Sequence, residues 1–351
     1  MSKTLIGRLV IGHRQAIAQL GRAVDSGRLH HAYLLVGPPH VGKRTLALTF
    51  AQALNCTGDP RPCGTCRPCR LAGDDSYADL RVVHRGQSNA NGWHSRSVGG
   101  ATAATSRSIG IEQIRALQHD AALTPYEGRW KTYVVPEAQF LTVEAANCLL
   151  KTLEEPPSHV VLILTVDDLE ALLPTIVSRC RLLRLAPVPT EELEAALVAQ
   201  RHVEPDQARL LARLACGRPG WAMEALADPR LLEERAARLA DLLALSRGRR
   251  AERFAYAERL AQQYGRDPDG VIRALDLWLR WWRDVLLTRA GCEELVGNWD
   301  HLEELRRRAR SFSVEQIRSV LSCVEETLVR LAQNVNPRLA LEALLLSLPA
   351  G

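Results

Sequence analysis

The stretch HAYLLVGPPHVGKRTLALTFAQAL (His31 to Leu54) decides the reading of this chain. HAYLLVG is a short apolar run that ends in glycine, which predicts a buried strand running into a loop. KRTLALTFAQAL, from Lys43 to Leu54, has helical periodicity and good helix formers. Between them Gly37-Pro38-Pro39-His40-Val41-Gly42-Lys43 fits the phosphate-loop pattern GxxxxGK, in the strand-then-helix context that makes the pattern specific. Gly37 and Gly42 let backbone N–H groups turn toward phosphate oxygens, the helix N-terminus adds positive potential, and Lys43 supplies a point charge. The alternative is a chance glycine-rich turn.

Working outward, the same rhythm recurs. Leu80 to Val83, TYVV (Thr132 to Val135) and VVLILTV (Val160 to Val166) read as strands, and Ile109 to Leu123 and Val143 to Leu153 as helices. A helical pattern around Ile17, Leu20 and Val24 precedes them. Strands alternating with helices predict a parallel, doubly wound α/β sheet. Residues 86–108, rich in Gly, Ser, Asn and Ala, read as a flexible surface insertion. After about Pro187 the strand signal ends, and the rest is rich in Leu, Ala, Glu and Arg and reads as helix. The basic stretch SRGRRAER (Ser246 to Arg253) divides that part. The expected domains are therefore 1–187, 188–245 and 246–351.

The 351 residues suffice for two or three domains, and 46% hydrophobic with 24% charged residues is an ordinary globular balance. The net charge, 45 − 40 = +5, permits contact with nucleic acid without arguing for it. The N-terminus lacks a signal-peptide pattern and no run of about 18 apolar residues exists, so a cytoplasmic protein with no membrane span is expected.

The phosphate loop lacks its chemistry. A hydrolysing loop carries Ser or Thr after the lysine to bind Mg²⁺. Here Arg44 stands there, and Thr45 lies one residue on, about 100° further round the helix. The second magnesium-supporting element, an acidic strand end, is also altered. The strand ends Val134-Val135-Pro136-Glu137, with proline at the expected Asp position and Glu137 left as a base without a placed metal. Two losses in one site predict no ATP hydrolysis, with ATP or ADP bound weakly or not at all.

Cys56, Cys63, Cys66 and Cys69 give C-x6-C-x2-C-x2-C. Four thiolates on a tight loop can meet around one Zn²⁺ in a closed, structural site, because four protein ligands leave no open catalytic position. Free thiols are the alternative. Arg61, Arg67 and Arg70 are interleaved with them and leave a nucleic-acid role open beside a structural or protein-contact one. Cys148, Cys180, Cys216, Cys292 and Cys323 are expected in the core. Trp278, Trp281 and Trp282, at i, i+3 and i+4, predict a helix packing face. Arg306, Arg307, Arg308 and Arg310 predict a solvated helix face. His30 and His31 are expected to pack or to meet a partner.

These residues together resemble the clamp-loader branch of the AAA+ family, and within it the delta-prime type of bacterial DNA polymerase III. The resemblance runs over nearly the whole chain, through GRLHHAYLLVGPPHVGKRT (Gly27 to Thr45), the cysteine module, PYEGRWKTYVV (Pro125 to Val135), EAANCLLKTLEEPP (Glu144 to Pro157), LLPTIVSRCR (Leu172 to Arg181), GRPGWAME (Gly217 to Glu224) and NVNPRLALEALLL (Asn334 to Leu346). It implies an AAA+ module with a zinc-binding loop, a small helical lid and an all-α collar domain that joins a five-subunit ring. Implied partners are motor ATPase subunits and a delta-type subunit, with the sliding clamp and primer-template DNA met through the complex. Arg179, in the SRC segment, is implied to complete a neighbour's ATP site as an arginine finger; a local salt bridge is the alternative. Thr165 is implied as a sensor residue and Arg218 as a second phosphate-sensing arginine. The combination of GKR with a broken acidic strand end points away from the motor subunits, although an active motor ATPase of the same family is the competing reading.

Overall fold

The structure is a computed structural model and describes residues 10–73, 76–85, 108–247, 249–333 and 335–349. The chain divides into two compact units. One comprises the residues up to Arg201 together with Gly217–Trp221, the other His202–Cys216 and the residues from Ala222 onward.

The first unit is built on a parallel sheet. Helix α1 (Arg14–Ser26) leads into β1 (Ala32–Val36), the phosphate loop and α2 (Lys43–Asn55). A short helix, α3 (Arg67–Gly73), carries part of the cysteine module and precedes β2 (Leu80–Val82). Then follow α4 (Ile111–Ala121), β3 (Lys131–Val135), α5 (Val143–Glu154), β4 (Val160–Val166), α6 (Pro174–Val177), β5 (Arg181–Arg184) and α7 (Thr190–Arg201). The strand order is β2-β3-β4-β1-β5 and every pairing is parallel. β1, β3 and β4 are buried along their whole length, which is why they read as continuous apolar runs. Alternation still sorts their side chains. Tyr33, Leu35, Val134 and Ile163 face the core shared with α1 and α2, and Leu34, Val135, Leu162 and Leu164 the core shared with α4 and α5.

β5 is an element the sequence reading missed. It is four residues long with only Leu183 buried, so it lacks the apolar run that marks the inner strands. Residues 86–107 of the expected insertion lie outside the described residues.

In the second unit α8 (Pro205–Ala215) comes first. α9 (Pro219–Ala227) begins in one unit and ends in the other. Then come α10 (Arg230–Arg247), α11 (Arg250–Arg266), α12 (Pro268–Arg289), α13 (Leu302–Ser311), α14 (Val314–Ala332) and α15 (Pro337–Ser347). Trp278, Trp281 and Trp282 are all at most 1% exposed and centre its core, so the tryptophan face packs as its spacing predicts. The break near Ser246–Arg253 falls between α10 and α11, inside this unit.

Two expectations need correction. The arginine run at 306–310 is not simply solvated: Arg308 is buried against Glu304 at 3.0 Å, and Arg306 reaches Glu293 and Glu303, both at 2.7 Å. Carboxylates on and before α13 pair with Arg306, Arg307 and Arg308, and Arg310 is exposed. The five scattered cysteines are half-buried rather than core. Cys148, Cys180 and Cys323 still pack against the cores from their margins, while the thiols of Cys148, Cys216 and Cys292 find polar neighbours, as Cys148 does with Gln118 Oε1 at 3.2 Å. Among the described residues no helix is long and apolar enough to cross a membrane.

Candidate functional site

Because all strands are parallel, their C-terminal ends gather at one edge of the sheet, where ligands bind in folds of this kind. The phosphate loop follows β1, Glu137 follows β3 and Asp167 follows β4 at that edge. Gly42 takes φ +108, a conformation an L side chain rarely adopts, and a Cβ at Gly37 would strike the carbonyl oxygen of Leu185. The loop is also tied from outside. His13 Nε2 bonds the carbonyl of Val41 at 2.8 Å, and the N–H of Gly220 donates to the carbonyl of His40 at 2.8 Å. Burial pushes the His13 imidazole below its ordinary value, partly offset by that bond to Val41.

Lys43 does not point outward. Its ammonium donates to the carbonyl of Gly37, to the carbonyl of Pro38 at 2.9 Å and to Asp167 Oδ1 at 2.7 Å. An ammonium has three donors, and three acceptors within the protein claim them. Asp167 in turn accepts from Gln139 Nε2 at 2.9 Å. The sequence reading missed Asp167, although an acid one residue past a buried strand was a visible signal.

Arg44 and Thr45 are both exposed on the first turn of α2, so neither packs into the loop. Glu137 is in the left-handed region, φ 51; its N–H donates to Thr165 Oγ1 at 3.0 Å and its carboxylate pairs with Arg85 at 2.9 Å. Thr165 is thereby buried and engaged with the β3 end. Arg218 is buried in the loop whose Gly220 touches the phosphate loop. The structure thus gathers Lys43, Glu137, Thr165 and the Arg218 loop around one edge.

Arg179 lies elsewhere, in the turn before β5 and so at the opposite, N-terminal end of the sheet. It is half-exposed. Its guanidinium meets Glu154 at 2.8 Å and the carbonyl of Thr175 at 3.0 Å.

The cysteine module is compact. Cys56 follows the last residue of α2, and Cys69 is buried within α3. The four sulfurs lie within 4.8 Å of one another, with Cys56 and Cys66 at 3.8 Å. A tetrahedron with arms of about 2.3 Å has edges of about 3.8 Å, so the four thiols fit a structural metal. Backbone N–H groups already point at the sulfurs, Cys63 N–H to Cys56 at 3.2 Å and Cys66 N–H to Cys63 at 3.3 Å. The Thr65 hydroxyl and then the Cys66 N–H pull the Cys63 thiol down to about 5, while burial pushes Cys56 and Cys69 up. An ion pair of Arg67 with Glu127 at 3.1 Å links the module to the loop before β3. That loop rests on two buried residues with no sequence signature. Asp79 accepts from the N–H groups of Tyr126, Glu127 and Gly128, and Asn55 accepts from those of Arg129 and Trp130.

Several known proteins are similar to this chain. A DNA polymerase III subunit delta' from Bacillus subtilis is 29% identical over 95% of this chain and 94% of its own length. The DNA polymerase III subunit tau of Escherichia coli is 34% identical over 59% of this chain, a match that spans 30% of that protein. Among solved structures, a DNA polymerase III gamma-subunit-related protein from Thermotoga maritima is 18% identical and covers 93% of this chain and 97% of its own, with a TM-score of 0.44. Residues 12–189, just over half of the chain, match the family described as DNA polymerase III, delta subunit. The chain belongs to that family.

Proposed function

We propose that this chain is a delta-prime-type clamp-loader subunit of a DNA polymerase III holoenzyme that does not hydrolyse ATP itself. The observation that carries the reading is Lys43, whose three donors are taken by the carbonyls of Gly37 and Pro38 and by Asp167. Around it, Arg44 replaces the magnesium hydroxyl and Pro136 the strand-end acid. A site with no seat for the metal and an internally satisfied lysine is suited to holding shape rather than to turnover.

In this reading the chain acts through its neighbours. It joins motor subunits and a delta-type subunit in a five-membered ring that loads a sliding clamp onto primed DNA, with the helices after residue 245 as collar and the preceding 188–245 as lid. Arg179 leaves its exposed pair with Glu154, which is worth little in water, and places its guanidinium on the phosphates in a neighbour's site. Cys56, Cys63, Cys66 and Cys69 hold one structural Zn²⁺, an all-sulfur set that suits this metal.

The similarity to tau favours a second reading, an active motor subunit. ATP turnover by the purified chain separates the two. The expected result is background hydrolysis; steady turnover abolished by Lys43→Ala would establish the motor reading. Arg179→Ala in the reconstituted complex is expected to lower clamp- and DNA-stimulated ATPase while leaving assembly intact. Unchanged turnover would reduce Arg179 to a surface ion pair.

A further inference from the structure

Parallel strands also gather their N-terminal ends, and in this chain that end lies away from the phosphate loop. Two cavities open there. The larger, about 510 Å³, lies between α1 and β5, with Arg22, Arg28 and Arg181 around it and Leu20, Leu29 and Leu183 within its lining. The smaller, about 110 Å³, is lined by Trp130, Pro156, Pro157 and His31. Leu29 and His30 line both, so the two form one trough across the starts of β4, β1 and β5. No carboxylate lines either cavity.

Among the described residues no carboxylate pairs with the arginines of the trough. Among the described residues the guanidinium groups of Arg28 and Arg181 have no ion pair or hydrogen bond, and that of Arg22 reaches only the carbonyl of Ala18 on its own helix, at 3.2 Å. β5 pairs with β1 alone among the described strands, so its outer edge keeps open backbone donors and acceptors. An extended peptide can hydrogen-bond to such an edge while alternate side chains enter pockets. Here those pockets are cationic on one side and apolar on the other. The trough also adjoins Arg179, because the His31 ring lies against the backbone of that residue.

We propose that this trough docks an extended acidic segment of the neighbouring subunit, one that alternates carboxylates for Arg28 and Arg181 with apolar residues for the floor. The proposal rests on the assembly described above and extends it, since it gives the Arg179 end of the sheet a binding surface as well as a charge.

The test uses the full chain and a gamma/tau-type subunit of the same organism, with affinity measured across a salt series. The double variant Arg28→Glu/Arg181→Glu turns attraction into repulsion at exposed positions, so it is expected to keep its melting temperature. Its affinity is expected to fall about tenfold or more, and the salt dependence to flatten. Wild-type affinity with an unchanged salt slope would overturn the proposal and leave the arginines as guards of an open strand edge. Unchanged subunit affinity with lost binding to a fluorescent primer–template DNA would overturn it in favour of a nucleic-acid surface. Arg179→Ala is measured in parallel. A loss of stimulated ATPase with a neutral double variant removes the trough and keeps the finger, and the reverse pattern removes the finger and keeps the trough. No binding by the unmodified chain removes the proposed assembly itself.

Discussion

At the scale of single residues, the phosphate loop and the loop before β3 show what buried polar groups decide. Lys43 is buried, with its ammonium fully engaged by Gly37, Pro38 and Asp167. Lys43→Ala is therefore expected to destabilise the first unit by about 1–3 kcal/mol in denaturant unfolding, through lost hydrogen bonds and an acceptor left without its partner. In the assembled complex the same change is expected to leave ATP turnover at the wild-type rate, a result no motor subunit would give. Asp79 is 1% exposed and accepts three N–H bonds at 2.6 to 2.9 Å. Asp79→Ala strands all three donors, so a loss of about 3 kcal/mol or more is expected. A loss under about 1 kcal/mol would mean that water reaches them.

Elements add a different constraint, because each is held by what it packs on. The cysteine module has little apolar material of its own, and its order is expected to depend on a metal held by the four thiols between α2 and α3. Cys66→Ser is expected to lower bound zinc from about one equivalent toward none by elemental analysis. Faster amide exchange is expected in residues 56–73, and also in 123–130 through the Arg67–Glu127 pair. Full zinc content in the variant would overturn the ligand assignment. α12 is the opposite case, an element held by apolar packing. Trp278 is fully buried and stacks with Tyr256 at 6.1 Å. Trp278→Ala is expected to cost about 3–5 kcal/mol, read in the unfolding of the second unit.

The whole molecule separates a sheet unit from a helical one, and the assembly role falls to exposed surface rather than to cores. Truncation near residue 245 removes the proposed collar, but it also uncovers Leu239 and Leu242 of α10, which are buried in the same core. A cleaner test lies on α15, where Leu339 and Leu346 stand seven residues apart on one face, 61% and 44% exposed. Leu339→Glu/Leu346→Glu is expected to preserve the melting temperature while weakening entry into the complex at least tenfold by gel filtration. Undiminished assembly would place the collar contacts elsewhere.

Much was legible in the sequence because it depends on local order. The apolar runs of β1, β3 and β4, the glycine spacing between Gly37 and Gly42, the absent hydroxyl at Arg44 and the spacing of Cys56, Cys63, Cys66 and Cys69 are all properties of neighbours along the chain. The tryptophan face of α12 follows from helical periodicity in the same way. Other features exist only after distant segments meet. β5 carries too little apolar sequence to be recognised, and only its pairing with β1 defines it. Asp167 lies 124 residues from Lys43, and their contact forms because parallel strands bring their C-terminal ends to one edge. Asp79 and Asn55, and Arg28 and Arg181, which have no ion pair among the described residues, are equally silent in one dimension, since a hydrogen bond or an open charge is a relation in space. Local pattern therefore determined the inner strands, the helix faces and the chemistry they carry, and tertiary structure decided the edge strand, which of those groups satisfy one another and which stay available to a partner.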